Sequence, residues 1–505
     1  MTTTTSPTKN PSGNYIERTR RSTLSNALIV TRREVRDSFR DWRIVAPIII
    51  LTLVFPGLAQ YLAQQFAGFL EGYGATIIGE RTIPFLLMIV GFFPISISLV
   101  IALETFVGEK ERRSLEPLLS TPLTNTELYI GKTLSAMIPP LIASFGGMML
   151  YLLTALTGEL AWRPQPMLLV QIILLTIVQA LVMISGAVVV SSQTTSTRAA
   201  NLLASFIIIP MTLIINGESV IMFIAPDATS PSGIGALWAI IVAMIVVAIL
   251  LLRVGSTLFN REELLGRTID SINLGGMFKR ILKWTIAIND ECSPARNPLD
   301  WYRRAIPYSL RKLKTPIALT IAVFVTAFAL GFMVSQDPAW RISLPEAPSY
   351  DSVSDTFALF SQQSLQQEAL GLVMWQNARV LLLTLILSIF SLGVAAFVIP
   401  PIVYAILGFL LGQLLLAGYD LSLFLAAILP HGIVEIPMIV IATAAMFRLG
   451  AIPTRPPKRM TVGQAWTMAL GDTIKIALGV ILPMLIVAAL LEAYVTPMVI
   501  GQFMS

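Results

Sequence analysis

The chain has 505 residues, 55% hydrophobic and 13% charged, with 35 Lys and Arg against 29 Asp and Glu. Soluble domains carry about 25% charged residues, so the composition excludes a soluble globular protein and predicts an all-α, polytopic integral membrane protein. The single cysteine, Cys292, excludes a disulfide framework or a cysteine-cluster metal site. The single histidine, His431, removes nearly every histidine-based zinc site.

Residues 1–22 are polar and rich in Thr, Ser, Asn and Pro. They lack an apolar core followed by a small-residue cleavage site, and so predict a disordered tail rather than a signal peptide. Next, Leu24, Leu28, Val35, Phe39 and Trp42 fall within about 60° on a helical wheel. Arg32, Arg36, Arg40 and Arg43 fill the adjacent stripe, which predicts an interfacial helix on the inner leaflet. A bilayer core needs about 20 apolar residues per helix. Runs of that length lie near Ile44–Phe66, Ile83–Phe106, Leu128–Leu156, Met167–Val190, Leu202–Ile224 and Ile234–Val254. After a long polar stretch come Pro316–Val334, Val380–Val398, Pro401–Ala417, Leu421–Phe447 and Ile474–Ala493. The expectation is about eleven helices, six and then five. The 401–417 run is short and Gly-rich, which suggests a tilted or re-entrant segment.

Lys and Arg asymmetry orients the spans. Residues 1–43 carry nine Lys/Arg against four acids, and residues 253–315 carry twelve against six. The loop 335–378 has only Arg341 against five acids. The N-terminus and the loops 108–126, 191–200, 253–315 and 448–472 are therefore expected in the cytoplasm of a prokaryotic plasma-membrane protein, with 335–378 outside. The basic balance suits loops beside anionic lipid and gives no reason to invoke nucleic acid.

Between the second and third runs lies the charged stretch Gly108-Glu-Lys-Glu-Arg-Arg-Ser-Leu-Glu-Pro-Leu-Leu-Ser-Thr-Pro-Leu123. It is too polar to enter a bilayer. Leu115, Leu118 and Leu119 recur at helical spacing, rimmed by Glu109, Lys110, Glu111, Arg112, Arg113 and Glu116. An apolar anchor with a charged rim is the anatomy of a protein interface; a solvated connector is the plainer reading. With the preceding Arg40-Asp41-Trp42-Arg43 and the closing Leu258-Phe-Asn-Arg-Glu-Glu-Leu-Leu-Gly266, residues 20–266 resemble the ABC-type-2 (type V) exporter permeases, especially the sodium-export branch. The resemblance implies six spans, a coupling helix in the hairpin, an ABC ATPase on a separate chain, and pairing as a homodimer or with a related permease. ATP and Mg would belong to that partner, with no cofactor or metal in this chain. Gly131-Lys132-Thr133 ends like a phosphate loop, but Thr126 stands where the first glycine belongs and the site opens a membrane helix, so it reads as coincidence.

The basic stretch 267–315 reads as a cytoplasmic linker between a permease module at 23–266 and a second module at 316–505. The second module carries Trp375-Gln-Asn-Ala-Arg379, Leu429-Pro-His-Gly-Ile-Val-Glu-Ile-Pro437 and Leu491-Glu-Ala-Tyr-Val-Thr-Pro497. These segments resemble the stage II sporulation protein M family, over about residues 300–498. The family's Asn-Gly in the middle span is here Leu407-Gly408. The resemblance implies five spans, work alongside cell-wall remodelling enzymes, and no enzymatic activity; no catalytic residue is assigned.

Asn377, His431, Glu435 and Glu492 are the intramembrane polar residues of this module. His431 and Glu435 are four apart and share a helix face. An ionised carboxylate at mid-bilayer costs about 2.5–3.5 kcal/mol on insertion scales, so these groups should face the bundle interior. Two readings stand: a hydrogen-bonded clamp on a helix broken between Pro430 and Pro437, or a proton, ion or substrate path. Tyr419-Asp420 and Ala469-Leu-Gly-Asp472 faintly echo an aspartyl protease pair. The orientation puts a bilayer between them, whereas such a dyad needs carboxylates about 3 Å apart.

The leading expectation is the permease subunit of an ATP-driven exporter, not itself an enzyme. The alternatives are a non-transporting scaffold relaying ATPase motion to envelope proteins through loop 335–378, and a secondary transporter using His431, Glu435 and Glu492.

Overall fold

A computed structural model of the chain describes residues 12–71, 76–111, 123–157, 165–194, 197–225, 227, 230–258, 274–341, 363–419, 421–457 and 460–504. Among these, all regular structure is helical apart from one isolated bridge between Ala287 and Pro294. This follows from the composition: in lipid every backbone N–H and C=O must be satisfied within the protein, and a helix does so locally. Nine stretches of the described residues are long and apolar enough to cross a membrane. The chain divides into two compact units, Met1–Ile272 and Asn273–Ser505.

The first unit contains α1 (Ser12–Ser38), α2 (Trp42–Glu71), α3 (Thr76–Glu111), α4 (Asn125–Thr157), α5 (Pro166–Gln193), α6 (Thr197–Ile224) and α7 (Gly235–Leu258). Four of the nine stretches lie here, in α2, α4, α5 and α7. The helices α3 and α6 contribute the shorter apolar segments Arg81–Ser96 and Ile207–Phe223. Prolines 47, 56, 84, 94, 139, 140 and 210 sit inside these helices without ending them. Ala59, Leu87, Met148, Tyr151, Ile172, Leu175, Ile215 and Leu237 form a common core drawn from all six helices after α1.

The first helix starts inside the segment read as a tail and ends at Ser38. Arg40 therefore lies in the turn after it, and Trp42 opens α2; neither belongs to the interfacial helix as expected from sequence. The cause is the polar Arg40-Asp41 pair, whose amides fold back on Asp37 and Ser38 carbonyls. Arg32 and Arg36 remain exposed on α1. The face that packs is Ala27, Val30 and Thr31, set against α4, while Leu28, Phe39 and Trp42 stay exposed, as suits a lipid-facing edge.

The second unit opens with α8 (Leu274–Ile286) and α9, which runs from Pro298–Asp300 through a π turn at Trp301–Ala305 into Ile306–Arg311. Four more helices follow: α10 (Lys314–Ser335), α11 (Gln363–Phe390), α12 (Ile399–Leu416) and α13 (Leu421–Ala451). The last, α14, joins Val462–Ile476, Leu482–Leu490 and Thr496–Met504 through π turns at Ala477–Ile481 and Leu491–Val495. Five of the nine membrane-length stretches lie in α10 to α14. Residues 274–313, read from sequence as linker, pack inside this unit. The stretch expected to be re-entrant is long enough to cross once the 3-10 turn Val394–Phe397 is joined to α12. The helix α13 runs unbroken through Pro430 and Pro437, so the expected break between them does not occur.

Candidate functional site

Two polar centres occupy opposite ends of the α10–α14 bundle. Arg448 near the end of α13 meets Asp472 near the start of α14, while His431 near the start of α13 meets Thr496 near the end of α14. The two helices are therefore antiparallel, and the centres lie about 25 Å apart along α13 at 1.5 Å per residue.

The first centre brings together all four intramembrane residues picked out from sequence. Asn377 of α11 donates its Nδ2 to Glu435 Oε1 at 3.1 Å. On the other side of the pair, His431 Nδ1 and Thr496 Oγ1 are 3.1 Å apart. The Thr496 hydroxyl donates to Leu491 O, at 3.1 Å across the π turn that also carries Glu492. A hydroxyl has one proton to give; with the Thr496 proton on Leu491 O, Thr496 accepts from His431 and the imidazole carries its proton on Nδ1. Its Nε2 then faces Glu435 Oε2 at 3.8 Å, beyond hydrogen-bond range. The expected His431–Glu435 clamp is thus absent; each side chain is held by a different helix. Glu492 closes the group: one ligand atom each from His431, Glu435 and Glu492 lie within 4.8 Å of one another.

The second centre escaped the sequence reading, which weighed Asp472 only as a protease remnant. Asp472 is fully buried and receives Ser309 Oγ at 2.7 Å, Arg448 Nη1 at 3.0 Å, Lys312 Nζ at 3.4 Å and Lys475 Nζ at 3.5 Å. Lys475, also fully buried, donates to Ala287 O at 2.7 Å and Ser309 Oγ at 3.0 Å. Lys312 reaches Asp290 at 3.2 Å. The Tyr308 hydroxyl, and then Lys312, hold the Asp290 carboxyl below its ordinary range against the opposing effect of burial. Burial, and then the same bond to Asp290, push the Tyr308 hydroxyl up. Gly471 admits α8: a Cβ there would meet Trp284 and lie 3.1 Å from the Ile281 carbonyl. The arrangement pins α8 and α9 to the bundle; a charge buried and paired this way is a structural anchor.

The first unit holds a third feature that sequence reading missed. Glu218 of α6 is fully buried and accepts from Gln179 Nε2 of α5 at 2.7 Å, with its other oxygen unpaired among the described residues. The signal was available, because an acid inside an apolar run is a functional candidate by default.

At one end of this unit the helices that flank the hairpin are tied to their neighbours. Ser191 Oγ of α5 donates to Leu103 O of α3 at 2.5 Å and accepts from the Phe106 and Val107 amides at 3.0 and 3.2 Å. Beyond the hairpin, Thr124 and Glu127 form a reciprocal cap at the start of α4. Asn26, Thr31 and Glu34 then tie α1 to Glu127, the Gly131 carbonyl and Lys132. Lys132 is thereby buried against Glu34 on a helix, which is no setting for a phosphate loop. Of the hairpin itself, Glu111 is exposed at the end of α3. Arg112, Arg113, Leu115, Glu116, Leu118 and Leu119 lie outside the described residues, as do the side chains of Glu109 and Lys110.

A helical chain with many membrane-length apolar stretches and polar groups gathered inside its bundles is a multi-pass membrane protein. Residues 28–227 match the family model described as ABC-2 family transporter protein, and residues 320–497 match that of Stage II sporulation protein M. The architecture matches a fusion of an ABC-2 family transporter membrane domain with a SpoIIM-like domain, a permease-type arrangement. No curated protein and no solved structure matches it.

Proposed function

We propose that this chain is the membrane-spanning subunit of an ATP-driven exporter, driven by a separate ABC ATPase that docks on the hairpin 108–123. The observation that carries the reading is the ABC-2 match over residues 28–227, which encloses that hairpin between α3 and α4. ATP and Mg belong to the partner in this reading, since the one phosphate-loop-like run has Thr126 where the first glycine belongs and opens a helix. The Ser191 lock supports the coupling. It binds α3, just before the hairpin, to the end of α5, so a push on one loop moves two helices together. The apolar segments of α3 and α6 complete six spans, and with the five of the second unit they give eleven. Two copies, or one with a related permease, would form the transport path, with the N-terminus and hairpin in the cytoplasm and α1 on the inner leaflet.

The test is co-purification with an ABC ATPase from the same cells, followed by its hydrolysis rate. Leu118→Asp is expected to abolish co-purification and chain-stimulated hydrolysis, and Glu116→Arg to weaken both. If both variants bind and stimulate like the unaltered chain, the docking reading is wrong.

A further inference from the structure

One ligand atom each from His431, Glu435 and Glu492 converge between α13 and α14, within 4.8 Å of one another. The chain Thr496 to Leu491 O leaves His431 Nε2 bare, and Asn377 occupies Glu435 Oε1, so Oε2 is the free oxygen that turns toward Nε2. Glu492, carried on the π turn, makes no hydrogen bond among the described residues and supplies the third donor. Two carboxylates and a bare imidazole nitrogen repel one another at this range, and the apolar surroundings deepen the cost.

We propose that His431, Glu435 and Glu492 form a binding site for one first-row divalent transition ion, of the zinc or manganese class. The charge closes, since a dication balances two carboxylates and leaves the bundle neutral where uncompensated charge is expensive. The spacing is near what one ion needs. Donors each about 2.1 Å from one ion stand roughly 3–4.2 Å apart; the 3.8 Å from His431 Nε2 to Glu435 Oε2 falls in that range, and with all three donors within 4.8 Å of one another a bound ion would draw the group in by a few tenths of an ångström. The surroundings have the form that metal ligands require. A ligating imidazole normally gives its other N–H to an oxygen that fixes its tautomer, and ligating carboxylates are themselves hydrogen-bonded. Thr496 and Asn377 fill those two positions. One nitrogen with two oxygens suits zinc, iron(II) or manganese rather than calcium, and three protein ligands leave a coordination position open for an exchangeable group. Asn377, His431 and Glu492 each lie about 10–14 Å along their helices from the same end of the bundle, so the ion would sit below one membrane surface, within reach of solvent-borne ligands.

The site stands or falls independently of how the first unit is driven. The full chain, purified in detergent and stripped with chelator, is titrated with Zn(II), with Co(II) as optical probe and elemental analysis for stoichiometry. About one ion per chain is expected, with the visible bands of a low-coordinate Co(II) and a rise in unfolding temperature on adding zinc. Glu435→Gln combined with Glu492→Gln should weaken binding at least 100-fold, and Thr496→Val, which touches no ion, by about 10–100-fold. A stripped, monodisperse wild-type chain that takes up no zinc or cobalt overturns the proposal. So does uptake unchanged by the double variant. Both results would leave the carboxylates neutralised by protons.

Discussion

Asp472 is fully buried and meets Arg448, Lys312 and Lys475 at 3.0, 3.4 and 3.5 Å. In lipid no hydrophobic force holds helix to helix, so packing and polar contacts carry association. Removing one member of a buried charged set leaves the others uncompensated, at a cost of about 3–5 kcal/mol. Asp472→Ala is therefore expected to lower stability by that order, read as a large drop in unfolding temperature in detergent, because three cations would lose their shared anion. Lys312→Ala should cost less, since Lys312 is partly exposed and its partner Asp290 faces solvent. Equal losses for the two variants would show that the network does not centre on Asp472. The four residues His431, Glu435, Glu492 and Asn377 were legible from sequence, since polar groups in apolar runs stand out. Their mutual geometry was not: Asn377 and Glu435 are 58 positions apart, and His431 and Thr496 are 65 apart.

At the scale of elements, α10 and α12 pack through small residues. A Cβ on Gly331 would run into the Ala405 backbone, one on Gly408 into the Phe328 carbonyl, and one on Gly412 into Ser335. Backbones this close gain dispersion contacts that larger side chains would forbid. Gly408→Val is expected to force the helices apart and destabilise by about 1–3 kcal/mol, at the upper end because backbone cannot yield. Its check is the unfolding temperature against that of Gly371→Val, whose position has open space around it. Matching losses would remove the seam as the cause. The seam also explains why Leu407-Gly408 retains its glycine where the preceding asparagine is absent: packing needs the glycine. The 401–417 run is short and Gly-rich in the sequence, with Pro400 and Pro401 at its start. Those prolines open α12, where a missing amide costs nothing, and the 3-10 turn before them supplies the remaining length.

For the whole molecule, the single cysteine supplies a test of the proposed orientation. Cys292 lies in the tight turn between α8 and α9, half-buried, with φ of 62°. Burial raises its thiol above the ordinary range, with Lys283 and Lys475 opposing. The thiolate is the reactive form, so a raised value means slow labelling at neutral pH that accelerates as pH rises. An impermeant maleimide should leave Cys292 unlabelled in intact cells and label it in inverted vesicles, faster at pH 9 than at pH 7. In a Cys292→Ser background, Ser354→Cys should behave in the opposite way. Labelling of Cys292 from outside intact cells would reverse the orientation, and with it the side on which any ATPase docks.

By itself the sequence determined the class of protein, the apolar runs, both family resemblances and the polar residues worth following. Those features are local: a run of apolar residues, a charge inside it, a motif of a few positions. Tertiary structure alone decided which of these residues meet. It put Asp472 at the centre of an ion network, paired His431 with Thr496, joined Glu492 to the pair, and folded residues 274–313 into the second unit. The physical reason is that desolvated polar groups must find partners wherever the packing places them, and those partners lie up to 188 positions away along the chain.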